Sequence, residues 1–145
     1  MVTVLDLTTG HVVTKVSLSG KPYGITISRD NSRVYISCSN GFLDVIDAAS
    51  NTVMHTYTIS EFTELRGVAV SPDMSKIYVA DYDYHRGNSS VKLIDTHIGN
   101  VVSIIALEPL GLAINDNGDT LYIAGTIGKR MATRDNRYNF DPATS

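Results

Sequence analysis

The feature that most constrains this chain is that it repeats itself. Residues 24–37, GITISRDNSRVYIS, recur as GVAVSPDMSKIYVA at 67–80 and as GLAINDNGDTLYIA at 111–124. Tyr35, Tyr78 and Tyr122 hold equivalent places, so the period is 43 to 44 residues. A second anchor is an aspartate that closes an apolar run: Asp6 in VTVLD, Asp47 in LDVID and Asp95 in VKLID, with a degenerate fourth, Asp141, in the tail YNFDPATS. A period of this length means one supersecondary unit copied along the chain, each copy burying its apolar face against the next.

The segments between anchors read as strands. They are short, rich in Val, Ile, Thr and Tyr, and bounded by Gly, Asp, Asn and Ser. In GITIS, GVAVS and GLAIN the branched residues Ile25 and Ile27, Val68 and Val70, Leu112 and Ile114 face one way, and Gly, Thr or Ala the other, a period of two. Each unit then holds four antiparallel strands. Four strands per roughly 40–45 residues is the signature of a β-propeller blade, with small residues where blades converge on the axis. Lys15, His55 and Thr56 fall on outer strands, as half-solvated edges require. The expected fold is all-β: a single partial propeller domain, 1–145, with repeat units at approximately 2–23, 24–66, 67–110 and 111–145. Complete blades are expected at 24–59 and 67–107, about three blade equivalents in all. Such an arc is either part of a longer propeller or half of a six-bladed dimer.

Two kinds of turn have a readable mechanism. Gly10, Asn51 and Gly99 each follow an anchor aspartate by four residues, and Gly and Asn tolerate the left-handed backbone of a short hairpin loop. Asp30, Asp73 and Asp116 resemble a catalytic row, but each sits beside turn residues, and capping of the turn is the expected role.

Composition excludes several classes. The net charge is −3 and the pI about 5.7, without the basic face of a nucleic-acid binder. The one cysteine, Cys38, cannot form an intrachain disulfide. The most apolar run, VVSIIAL at 101–107, falls far short of the ~20 residues of a membrane helix, so no membrane insertion is expected. The given chain opens on no signal peptide.

KPYGITISRDNSRVYIS and RGVAVSPDMSKIYVA resemble the YVTN-type (WD-like) bacterial and archaeal β-propeller repeat, and the resemblance runs over nearly all of residues 1–125. The tetrad itself departs: Tyr-Ile-Ser-Cys at 35–38, Tyr-Val-Ala-Asp at 78–81 and Tyr-Ile-Ala-Gly at 122–125 all lack its closing Asn, so no role of that Asn is carried over. The resemblance implies a periplasmic or cell-surface protein without a reaction of its own. A few similar propellers carry a cofactor or a lactonase site.

The chain holds no P-loop, dinucleotide fingerprint, CxxC or nucleophile–base arrangement around His11, His55, His85 and His97. No catalytic, cofactor or metal residue is assigned, and no cofactor is expected. DYDYHRGNSS at 81–90 is absent from the first unit; Asp81, Asp83 and His85 project from one face of an extended strand. Carboxylates and imidazole suit a divalent ion, but a partner-facing loop is the preferred reading. Loop lengths separate two faces. The step from Gly24 to Tyr35, Gly67 to Tyr78 and Gly111 to Tyr122 is constant, as is the turn after each anchor aspartate, whereas the other connections vary. In a four-stranded antiparallel blade the varying connections all emerge on one face, where loops carry function on a rigid scaffold. The residues expected to bind a partner there are Tyr23, Phe62, Arg66, Asp81, Asp83, Tyr84, His85, Arg86, Lys129 and Arg130, with Lys21, Glu61 and Glu64 beside them. Two readings follow: a non-catalytic binding or scaffold module for a protein or small ligand, or a propeller enzyme or cofactor carrier (lactonase-like, or an oxidoreductase subunit) whose central-channel site is completed by blades outside this chain.

Overall fold

The structure, a computed structural model, describes residues 1–83 and 85–126. Twelve strands follow one another: β1 (Val2–Leu5), β2 (Val12–Val16), β3 (Pro22–Ile27), β4 (Arg33–Cys38), β5 (Phe42–Asp47), β6 (Thr52–Thr58), β7 (Glu64–Val70), β8 (Lys76–Tyr82), β9 (Ser90–Asp95), β10 (Val101–Ala106), β11 (Glu108–Ile114) and β12 (Leu121–Thr126). Among the described residues there is no helix, hence none long and apolar enough to cross a membrane. The strands form two complete four-stranded antiparallel sheets, β3-β4-β5-β6 and β7-β8-β9-β10, flanked by the two-stranded sheets β1-β2 and β11-β12. These are the blades of a partial propeller. By position in the repeat, β1 and β2 are the third and fourth strands of a blade, and β11 and β12 are the first and second.

The turn chemistry accounts for the constant connections. Asp30 Oδ1 accepts from the Ser28 hydroxyl (2.7 Å), the Ser32 amide (3.0 Å) and the Ser32 hydroxyl (2.7 Å), while the Arg33 amide donates to Ser28 Oγ (2.9 Å). Asp73 repeats the pattern with Ser71 and Ser75. Those hydroxyl donors, foremost Ser28 and Ser71, hold both carboxyls down to about 2. The third copy corrects the expectation: the role falls to Asn115, not Asp116. Asn115 Oδ1 accepts the Asp119 and Thr120 amides (each 3.1 Å), and its amide group donates to Asp119 (2.6 Å). Counted from the strand glycines, Asp116 aligns with Arg29 and Pro72, one place before the capping position. In the hairpins after Asp6, Asp47 and Asp95, each carboxylate accepts the amide two residues on, and Gly10, Asn51 and Gly99 are left-handed, with φ of 74°, 54° and 69°.

The core lies between blades. Tyr35, Leu43 and Val45 of the first complete sheet meet Val68, Val70, Ile77, Val79 and Ile94 of the second. Each fully buried aliphatic side chain of this kind contributes roughly 1.5–3 kcal/mol. A smaller cluster joins Val16 and the partly buried Val2 and Val4 to Ile36, Cys38 and Ile46. Burial and the nearby Asp44 carboxylate push the Cys38 thiol up to about 11, so it stays protonated and inert. Asp44 is itself buried, accepting the Ser19 amide (2.7 Å), the Ser19 hydroxyl (2.8 Å) and the Thr56 hydroxyl (2.6 Å), and so pins the β2–β3 connection to the sheet.

Gly24 and Gly67 of the first strands are crowded, and what crowds them is the backbone of the next inner strand. A Cβ on Gly24 would sit 2.3 Å from the Arg66 carbonyl oxygen, and one on Gly67 would sit 2.7 Å from the Leu112 amide. Neither glycine has positive φ, so the requirement is for space. The branched residues on the opposite side do not share one fate. Val68 and Val70 are buried against the preceding sheet, whereas Ile25 and Ile27 are exposed, because β1-β2 covers only the outer part of the β3–β6 sheet.

Candidate recognition site

Each inner strand enters its sheet through a β-bulge. Register slips between Pro22 and Gly24 in β3, between Leu65 and Val68 in β7, and between Pro109 and Gly111 in β11. The extra residue at that point is Tyr23, Arg66 and Leu110 in turn. A bulge re-aims the side chain it releases, so three equivalent positions at the variable-loop end of the inner strands carry side chains outside the ladder.

Around these bulges a polar–aromatic cluster assembles. Glu64 Oε1 accepts the Tyr23 hydroxyl (2.8 Å), and Glu64 Oε2 pairs with Arg66 Nη2 (2.9 Å). The Arg66 guanidinium carbon lies 4.6 Å from the centre of the Tyr82 ring and 5.7 Å from that of Tyr23, and the Lys21 ammonium lies 5.4 Å from Tyr23. Stacked this way Arg66 keeps its charge while losing conformational freedom. Its Nε is buried without a hydrogen-bond partner among the described residues.

The backbone beneath is clamped. Lys21 and Ser39 exchange hydrogen bonds (2.8 and 3.0 Å), and Ser39 bridges to Glu64. Asn40 and Gly41, with φ of 61° and 74°, make the two-residue left-handed turn between β4 and β5. That turn latches the β6–β7 connection: Gly41 donates to the Thr63 carbonyl (3.0 Å) and accepts the Ile59 amide (2.8 Å). A Cβ on Gly41 would fall 1.7 Å from the Ser60 carbonyl oxygen, so only glycine fits. At the apex of this latched connection Phe62 is 74% exposed with φ of 62°. An exposed aromatic in the left-handed region is an uncommon and costly combination.

The sequence-selected residues separate in space. Tyr23 and Arg66 meet, with Phe62 two residues before Glu64. His85 and Arg86 are exposed on the β8–β9 connection. Asp81 and Asp83, placed by sequence on a partner-facing loop, are buried. Asp81 accepts the Ser60 hydroxyl (3.1 Å) and lies 3.7 Å from the Lys92 ammonium; Asp83 caps the Arg86 amide (2.9 Å). Strand continuation through Tyr82 carries Asp81 inside, and the turn that follows consumes Asp83. No group of three or more His, Cys, Asp or Glu among the described residues is arranged to hold a metal. Tyr84, Lys129 and Arg130 lie outside the described residues, as do Tyr138 and Asp141. Glu64 and Tyr82 complete the cluster; the sequence placed Glu64 on this face but gave Tyr82 no role, since alternation along a strand does not reveal which residue a bulge on the neighbour will face.

At the opposite end of the inner strands lies a groove of about 320 Å³. Thr26, Ala69 and Ala113 line it, and Arg29 closes it by donating to the Asp116 carbonyl (3.0 Å).

No family model matches this chain, and no curated protein matches it. Among solved structures it is similar to Kuenenia stuttgartiensis hydrazine synthase, with a TM-score of 0.72 and 24% sequence identity over 83% of this chain and 42% of that one. The chain thus spans less than half the length of that neighbour. In all, 388 solved chains match, so the fold is widely shared and the likeness carries architecture, not activity.

Proposed function

We propose that this chain is a non-catalytic binding module of the YVTN-type propeller class that recognises a protein or peptide through its variable-loop face. The observation that carries this reading is the cluster at the bulges: an arginine stacked between two tyrosines and locked by Glu64, beside an exposed phenylalanine held in a costly backbone conformation. Arg, Tyr and Phe are the residue types enriched where protein partners bind, and a preorganised arginine loses little freedom on binding. The mixture of one carboxylate with two cations suits a polar and aromatic peptide surface better than a single-sign polyanion. A periplasmic or cell-surface location follows from the repeat resemblance and belongs to the same proposal.

The test is a random peptide display library panned on the wild-type chain. Selected peptides are then titrated against Phe62→Asn with Arg66→Ala, and against Thr8→Ala with His97→Ala on the constant-turn face. Asn tolerates the left-handed backbone at 62, so the first variant removes the ring without straining the link. Affinity is expected to fall at least about tenfold, one lost hot-spot contact of ~1.4 kcal/mol or more, for the first variant and to stay unchanged for the second. Peptides indifferent to the first variant, or lost on the second, defeat the reading.

A further inference from the structure

Arg66 is released from the ladder by the β7 bulge, yet both its backbone and its side chain are held in place. Its carbonyl accepts the Ser37 hydroxyl of the preceding sheet, and Ser37 Oγ accepts the Gly24 amide (2.9 Å). The rings of Tyr82 and Tyr23 pack near its guanidinium. A π-face balances a cation's charge but gives its in-plane N–H groups no carboxylate-like acceptor. Arginine has five such donors. Glu64 meets Nη2 through Oε2 alone (2.9 Å), because its Oε1 is taken by the Tyr23 hydroxyl (2.8 Å), so the carboxylate does not close a two-point fork. Nε is buried with no acceptor among the described residues, while 35% of the side chain remains exposed. The charge is also left over. Lys21 and Arg66 face the single carboxylate of Glu64, and Glu61 and Arg86, exposed on the flanking connections, offset each other.

We propose that the peptide recognised at this cluster contributes one carboxylate, which binds the guanidinium edge of Arg66 that Glu64 leaves open. This rests on the peptide-binding reading above and names the group that the cluster selects. A carboxylate matches the site twice. It is planar, as the guanidinium fork requires, and its single negative charge equals the one positive charge the cluster retains. A phosphate monoester carries about −1.5 to −2 and would leave excess charge beside Glu64. A neutral amide fits the shape, but charge-assisted hydrogen bonds are roughly twice as strong. Arg66 is already fixed by Ser37, Glu64 and the two rings, so little side-chain freedom is lost when the carboxylate arrives.

The carboxylate can come from an Asp or Glu side chain or from the peptide's C-terminus. Peptides selected on the wild-type chain are therefore resynthesised in two ways, with each acidic residue changed to its amide and with the C-terminus amidated. One of these neutralisations is expected to lower affinity for wild type at least about tenfold. The same neutralisation is expected to change affinity for Arg66→Gln by less than about twofold, because the group it would meet is gone. Arg66→Lys keeps the charge without the fork and is expected to bind the acidic peptide at least about threefold more weakly than wild type. Neutralising the peptide leaves the protein untouched, so that arm stands whatever Arg66→Gln does to the fold. Peptides that depend on Phe62 and Arg66 yet tolerate every neutralisation overturn this inference and leave the binding reading standing. An equal loss in wild type and in Arg66→Gln puts the carboxylate elsewhere and also overturns it, as does tighter binding of a phosphoserine peptide than of the acidic one. Peptides indifferent to the cluster, or none selected at all, defeat both.

Discussion

Gly67→Ala and Gly111→Ala are the same substitution at the same repeat position, and the structure assigns them opposite outcomes. At Gly67 the new methyl would stand 2.7 Å from the Leu112 amide nitrogen, 2.8 Å from the Gly111 Cα and 2.8 Å from the Leu110 carbonyl oxygen. All three are backbone atoms that cannot swing aside, so β7 and β11 must part. Overpacking of this kind costs about 1–3 kcal/mol. Neither position has positive φ, so both variants gain about 0.4–1 kcal/mol from a stiffer unfolded chain. Gly67→Ala is therefore destabilised by up to about 2.6 kcal/mol net, and Gly111→Ala, which meets no clash, is stabilised by about 0.4–1 kcal/mol within one chain. At about 3 °C per kcal/mol for a chain of this size, the two melting temperatures differ by about 3–9 °C. The assay is thermal unfolding by circular dichroism, at a concentration where scattering reports single copies, so that association does not contribute. Equal shifts for the two variants would refute the claim that inner strands meet backbone to backbone at the glycines.

The turn carboxylates make stability depend on acid. Asp30 and Asp73 are depressed to about 2 in the folded chain, so their contribution is complete above the unfolded value near 4 and is lost as pH falls from about 4 through about 2. Asp30→Asn with Asp73→Asn is expected to be less stable than wild type at pH 7 by urea unfolding, with the gap narrowing at pH 2.5; a constant gap contradicts this. Asp44→Ala removes the acceptor shared by the Ser19 amide and the Ser19 and Thr56 hydroxyls and is expected to cost about 1.5–3 kcal/mol, the range for hydrogen bonds to a charged group. Asp47→Ala, at the exposed end of the same strand, is expected to cost under about 1 kcal/mol by the same measurement.

The strands, their order within a blade and the two invariant turns were legible because each rests on local chemistry repeated three times. Alternation in GITIS and GVAVS marks strands, and glycine or asparagine four residues after an aspartate marks a left-handed hairpin. Repetition also misled: reading Asp116 as the third of a row overlooked a one-residue offset that only the strand glycines resolve. Exposure of Ile25, Ile27 and Tyr122 depends on which sheets stand beside them, a long-range fact that their own segments do not encode. The cluster around Glu64 was half legible. Loop-length variation pointed to the end of the strands at which Tyr23 and Arg66 meet. The bulges that lift Tyr23 and Arg66, and the burial of Asp81 and Asp83, follow from pairing between strands and have no signature in composition or spacing.

The claim that recognition belongs to one face is tested most directly by amide chemical-shift mapping of the chain with a peptide selected from display. The account predicts that perturbed amides gather at 21–24, 59–66 and 85–89, on the strands and connections around Glu64. Perturbations centred on the constant turns at 8–10, 48–51 and 96–100 would contradict it.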